Sequence, residues 1–367
     1  MHPSTQFDVI IIGAGIAGIS AAAELSRGAK VLVLETEPQP GQHATGRSAA
    51  YFAPSYGNEV IRTLTAMSAD SYLIPNETFK TEVIKPRYAL FVAQDPQQES
   101  IEAMRAEQPG LNFLNTQQLQ QAVPILTDKI RNGLLDETGG DLDVDAIMQG
   151  YLSEVRKNAN IISTNSEVLS LNYVDHWQIY TKNEIYHAPL IINAGGAWAD
   201  EIAMRAGIGA LDLTPMKRTA MLIDPPLTPG IEQWPLVVDV DESFYFKPDA
   251  GKLLLSPADE TPTPASDAFP DELDIAIAVD RISNISSLEV SSVTHSWAGL
   301  RTFASDRTPV IGFDPRAKGF FWLAGQGGYG VQTAPGIARL TGQLCLDQQL
   351  DQEFESIVAS VAPDRLI

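Results

Sequence analysis

The sequence predicts an α/β fold in two parts: a parallel-sheet domain, and an inserted α+β domain dominated by a mixed or antiparallel sheet. Three observations predict it. Residues 7–35 form a Rossmann-like series of apolar strand, glycine turn, alanine-rich helix and second apolar strand ending in an acid. Residues 211–296 change to short β-rich runs around a single helix. The first pattern then returns over residues 319–346, again as strand, glycine turn and helix. A chain that leaves one pattern for another and comes back carries an insertion. The expected boundaries are 1–80, 140–210 and 297–367 for the parallel-sheet domain, and 81–139 and 211–296 for the inserted one.

Each element has its own reason. In Gly13-Ala-Gly15-Ile-Ala-Gly18 the first glycine turns the chain off the strand, and the second leaves no Cβ against a pyrophosphate. Gly18 lets helix and strand pack closely, and the helix N-terminus faces the anion. Glu35 closes the second strand, where a carboxylate accepts hydrogen bonds from a ribose diol and repels a 2′-phosphate. This fingerprint leaves NAD or FAD, and cofactor or substrate, open.

The loop 36–50 is rich in turn formers, and its small residues suit a backbone passing close to a flat ligand. A helix is expected over 61–73, strands over 82–86 and 88–93, and a polar helical region over 96–121. Asp141, Asp143 and Asp145 read as caps of a helix running to 157, since they lack the glycine and distal glutamate of a calcium loop. A strand at 160–163 and a hairpin over 167–174 and 177–181 follow, then an apolar strand ending in Gly195 and Gly196. The inserted part carries strands at 218–223, 236–238, 244–247 and 252–255, a proline-rich loop at 261–264 and a helix over 270–285. The last glycine turn, 325–330, opens a helix over 333–346.

Composition narrows the function. Against 25 bases stand 46 acids, a net charge of −21 that argues against nucleic acid or an anionic membrane surface as partner. A single cysteine, Cys345, forms neither a disulfide nor a thiolate metal site within the chain. With no basic leader and no apolar run of membrane-spanning length, the reading is cytoplasmic, with peripheral contact at a membrane electron acceptor left open.

Six motifs in order then resemble one family. They are Gly13 to Gly18 with Glu35, Thr45-Gly-Arg-Ser-Ala-Ala50, Asn193-Ala-Gly-Gly-Ala-Trp198, Glu242-Ser-Phe-Tyr-Phe-Lys-Pro248, Trp297-Ala-Gly-Leu-Arg301 and Gln326-Gly-Gly-Tyr-Gly-Val-Gln332. The chain resembles the FAD-dependent D-amino acid oxidase, glycine oxidase and sarcosine oxidase superfamily, and most of all bacterial D-arginine or D-amino acid dehydrogenases. The resemblance implies a retained FAD. Gly13, Gly15, Ile16, Ala17, Gly18, Glu35 and Thr36 would hold its adenosine end, with the Val168 backbone on adenine. Arg47, Ser48, Ala49, Ala194, Gly195 and Trp198 would lie along it, and Arg301, Gly327, Gly328, Tyr329, Gly330, Val331 and Gln332 would approach the ring. Relatives with covalent flavin carry a cysteine in the last glycine turn. Cys345 lies in the following helix instead, so a non-covalent cofactor is expected.

Oxidation of an amino acid at Cα needs its carboxylate held away from the reacting bond, and a guanidinium does this with two parallel charge-assisted hydrogen bonds. Arg301 matches the family's clamp; Arg218 is the expected second cation, and Tyr56 and Tyr245 are expected phenol donors. Gly328 and Gln332 are expected beside the substrate. Hydride transfer from a neutral amine needs no protein nucleophile and no metal, so His43 and His295 are read as structural. Arginine-preferring relatives carry a glutamate at the place of Ala89 and a histidine at that of Tyr51. Without that carboxylate a cationic side chain has no partner, so neutral or apolar D-amino acids are expected, with Leu236 and Val238 as wall residues. The alternatives are sarcosine or proline, which are secondary amines, glycine, and a 2-hydroxy acid. The electron acceptor is a quinone, another carrier or oxygen.

Overall fold

Val9–Ile12 is apolar at every position and buried along its length, the pattern of a parallel strand covered on both faces. In the computed structural model, which describes residues 5–367, it lies inside a six-stranded sheet. The leaderless start expected at residues 1–4 lies outside the described residues. Val9–Ile12 runs parallel to Val31–Leu34 and Leu190–Asn193; Ile161–Ser163 and Phe320–Ala324 extend the sheet in parallel, and Val310–Phe313 closes one edge antiparallel.

Alternation along these strands divides the core. Val9, Ile11, Val31 and Val33 face helices Ile16–Leu25, Val144–Lys157 and Ala334–Cys345. Ile10, Ile12, Leu32 and Leu34 face a three-stranded antiparallel sheet built from Val168–Tyr173, Trp177–Thr181 and Ile185–Ala188.

The second large sheet has nine strands. It is antiparallel except where Leu236–Asp239 runs parallel to Ala89–Gln94, so it is mixed as expected. Helix Glu272–Ile285 covers one face through Ala278, Ile282 and Ile285. Val293–Phe303 pairs along Thr214–Ile223, and the expected boundary at 296/297 falls inside this strand. Arg301 is therefore carried by the sheet of the inserted part.

The polar region 96–121 is not one helix. It divides into Gln98–Glu107 and Thr116–Ala122, with strand Asn112–Asn115 between them. Pro109 and Gly110 end the first helix, and Asn112–Asn115 pairs with Ile130–Asp136, a strand that Asn132 and Gly133 hide from a propensity reading. No helix among the described residues is long and apolar enough to cross a membrane.

Candidate active site

The first glycine turn fits its expected geometry. Gly13 has φ +103°, and a Cβ there would stand 2.4 Å from the Ala194 carbonyl oxygen; one on Gly18 would stand 2.0 Å from that of Gly13. Gly15 differs. Its φ of −70° suits any residue, and a Cβ would meet only Thr45 Oγ1, at 3.3 Å. Gly15 is thus bare because of what lies in front of it. Thr45 Oγ1 accepts the Ile16 N–H at 2.9 Å, while the N–H groups of Gly15 and Ala17 have no acceptor among the described residues. Glu35 accepts from the Ala14 and Glu37 N–H groups at 2.7 and 2.9 Å.

Gly13, Gly15, Ile16, Ala17, Glu35 and Thr45 line a cavity of about 470 Å³. The same cavity is lined by Thr36 and Val168, by Ser48, Ala49, Ala194, Gly195 and Trp198, and by Gly327, Gly328, Gly330 and Val331 at the last glycine turn, which adjoins the first helix where a Cβ on Gly330 would stand 3.5 Å from Ile16 Cγ2. Gly327, at φ +53°, packs on Phe303, where a Cβ would stand 2.1 Å from the ring. Among lining residues given no site role from the sequence, Thr45 caps the first helix and the His43 ring lies tilted against Trp198, 4.8 Å between ring centres.

Arg47 lines the cavity, but its guanidinium is committed elsewhere. Nη1 donates to the Ala268 and Ala298 carbonyls at 2.9 Å each, and Nη2 pairs with Asp267. Arg47 so ties the strap 266–268, whose Ser266 also lines the cavity, to the strand that carries Arg301. Arg47→Ala is expected to cost about 2–3 kcal/mol by urea unfolding and to open residues 263–271 to limited proteolysis.

Arg301, also in the lining, lies over Gly328, where a Cβ would stand 2.7 Å from its Nη1. Burial opposes its charge, but Tyr245, Tyr56, Tyr329 and Glu242 around it raise its pKa further above the ordinary arginine range. Among the described residues no carboxylate or carbonyl accepts from it. Arg218 also lines the cavity and is only 7% exposed, but its Nε donates to the Asp259 carbonyl at 2.9 Å and its Nη2 to Glu260 at 3.0 Å. Tyr245 lines the wall beneath Arg218, 6.0 Å from the guanidinium to the ring centre. The Tyr56 hydroxyl donates to Glu242 at 2.7 Å; burial and then Glu242 push its pKa well up, so it stays a neutral donor.

Other expected site residues stand back from the wall. Gln332 is buried, accepting from the Ala53 N–H at 3.2 Å and donating to Thr65 at 2.8 Å, so its amide joins the segment at Ala53 to helix Glu59–Leu73. Tyr51 donates to the Arg87 carbonyl at 2.6 Å, and Ala89 is buried against Phe91 and Leu134 behind it. Tyr329 packs on Tyr56 with ring centres 5.2 Å apart. Leu236 packs behind Tyr245 with Leu254, and Val238 beside them.

A cavity whose wall holds both bare helix N–H groups and an open guanidinium suits a dinucleotide whose ring meets an anionic substrate. The model of the FAD dependent oxidoreductase family matches residues 8–344. The chain belongs to this family. FAD is therefore its cofactor, and the cavity with the Gly15 opening and free amides fits it. Mouse (Mus musculus) FAD-dependent oxidoreductase domain-containing protein 1 is 26% identical over 414 residues, covering 94% of this chain and 82% of that protein. Glycine oxidase from Geobacillus kaustophilus superposes with a TM-score of 0.83 at 17% identity, over 95% of this chain and 96% of that one. L-proline dehydrogenase from P. horikoshii gives a TM-score of 0.84 at 20% identity, over 98% and 97%. These superpositions establish a shared fold with both proteins.

Proposed function

We propose that this family member oxidises small neutral amino acids, D-enantiomers first, at the Cα–N bond, so that the imine released is hydrolysed to a 2-oxo acid and ammonia. The observation that carries the reading is Arg301, a guanidinium in the cavity wall with no acceptor of its own among the described residues. A substrate carboxylate satisfies it with two parallel hydrogen bonds and leaves Cα free to face the ring. Bound FAD would supply the acceptor for the hydride from Cα, with a quinone, another carrier or oxygen as the final electron acceptor. Ala220 and Leu300 add apolar surface to the cavity wall, which lowers the water content around a bound substrate. Cys345 stands outside the lining residues, which supports a non-covalent cofactor.

The preference for neutral side chains rests on the acids near the clamp. Neither Glu242 nor Glu260 is among the residues lining the cavity, and Glu260 is already shared by Arg218 and Arg307, so neither offers the cavity a carboxylate for a cationic side chain. D-leucine, D-methionine and D-alanine are expected to give kcat/KM at least tenfold above D-arginine and D-lysine. The reverse order in a steady-state panel overturns the preference. A second reading is oxidation of a secondary amine. It draws support from relatives such as dimethylglycine dehydrogenase of Rattus norvegicus, 21% identical, and from the proline dehydrogenase above. Sarcosine, dimethylglycine and L-proline in the same panel separate the two.

A further inference from the structure

A second pocket of about 440 Å³ adjoins the cavity and shares Arg218 with it. Its other lining residues are Val240, Asp241, Glu242, Ala258, Glu260 and Arg307. It opens to solvent, for the Arg307 side chain is 44% exposed. Three of the seven residues, Glu242 at φ 56°, Ala258 at φ 50° and Arg307 at φ 60°, hold the left-handed conformation that side chains disfavour. Such conformations persist where surrounding structure enforces them, and they gather at binding sites.

The charges in this pocket are divided into two sets. On one side the Glu260 carboxylate bridges two guanidiniums, at 3.0 Å from Arg218 Nη2 and 2.8 Å from Arg307 Nη2, with its second oxygen 3.0 Å from Arg307 Nη1. One carboxylate thus serves two cations, and Arg218 Nη1 and Arg307 Nε have no acceptor among the described residues. On the other side two carboxylates are half engaged: Glu242 Oε2 accepts from Tyr56 at 2.7 Å and Asp241 Oδ2 from Gln97 at 2.9 Å. Their second oxygens have no donor among the described residues.

We propose that this outer pocket is a second binding subsite for a zwitterionic α-amino acid. The carboxylate takes donors on Arg218 and Arg307 in competition with Glu260, and the ammonium takes the open oxygens of Glu242 and Asp241. An acid without the amine lacks half of the recognition, so the subsite selects amino acids over plain carboxylates before the Arg301 cavity is reached. The proposal rests on the amino acid reading above, and its test separates the two.

The test is equilibrium dialysis of the FAD-loaded protein with labelled 2-aminoisobutyrate, a zwitterion that has no Cα hydrogen to lose, and with labelled isobutyrate, its amine-free counterpart. Wild type is expected to bind two molecules of 2-aminoisobutyrate and one of isobutyrate. Arg307→Ala and Glu242→Gln are each expected to lose one of the two, and Arg301→Ala the other. Glutamine at 242 still accepts from Tyr56, and an unchanged flavin spectrum and melting temperature certify each variant as folded. One molecule of 2-aminoisobutyrate per wild-type chain, or two retained in both Arg307→Ala and Glu242→Gln, overturns the subsite. Failure of every amino acid to reduce the flavin overturns the functional reading alone, because the dialysis counts binding without turnover.

Discussion

Arg301→Ala lowers kcat/KM for amino acid oxidation by an expected 10²- to 10³-fold, a loss of about 3–4 kcal/mol. The magnitude follows from position. The guanidinium stands in a low-dielectric wall over Gly328, where it meets a carboxylate with little competing water. Arg301→Lys keeps the charge but loses the planar pair of donors, so it recovers about a tenth or less of the lost rate. Flavin content measured beside the rates separates substrate binding from cofactor binding. Full flavin with unchanged kinetics in Arg301→Ala would remove Arg301 from the site.

The second large effect divides the fingerprint glycines by mechanism. Gly18→Ala drives a methyl into the Gly13 carbonyl, 2.0 Å away, with the Ala194 side chain 3.3 Å behind it. Backbone cannot yield there without shifting helix Ile16–Leu25 from its strand, so a loss on the order of 3–5 kcal/mol and a fall in melting temperature are expected with or without added FAD. Gly15→Ala places its methyl at the cavity against a threonine oxygen 3.3 Å away, in a backbone conformation alanine adopts freely. The apoprotein keeps its melting temperature, while the Kd for FAD rises about ten- to hundredfold. Equal thermal losses in the two apo variants would mean that the glycines share one structural role.

The parts of the site that were legible in the sequence are those set by local chain geometry. A strand, three glycines at fixed spacing and a helix determine one another within twenty residues, so the first glycine turn and, by the same pattern, the last one could be placed. Arg301 was legible as part of a motif.

What stayed hidden depends on distant partners. Gln332 follows a turn that lines the cavity, yet its amide is drawn to Ala53 and Thr65, more than 260 residues earlier. Arg47 sits in the expected loop, but a proline-rich segment over 200 residues away claims its guanidinium. Tyr51 and Ala89 share a cluster behind the cavity because Tyr51–Phe52 pairs with Gly140–Leu142, and nothing local announces that pairing. Cross-strand register, rather than composition, decides which of these side chains reaches the substrate.

The most direct test of the account is the absorption spectrum of the purified FAD-loaded protein, recorded without oxygen before and after adding D-alanine, D-leucine and their L-enantiomers in turn. The account predicts loss of the oxidised flavin band with at least one neutral D-amino acid, and loss of that response in Arg301→Ala. A bound flavin that every amino acid leaves oxidised would contradict it.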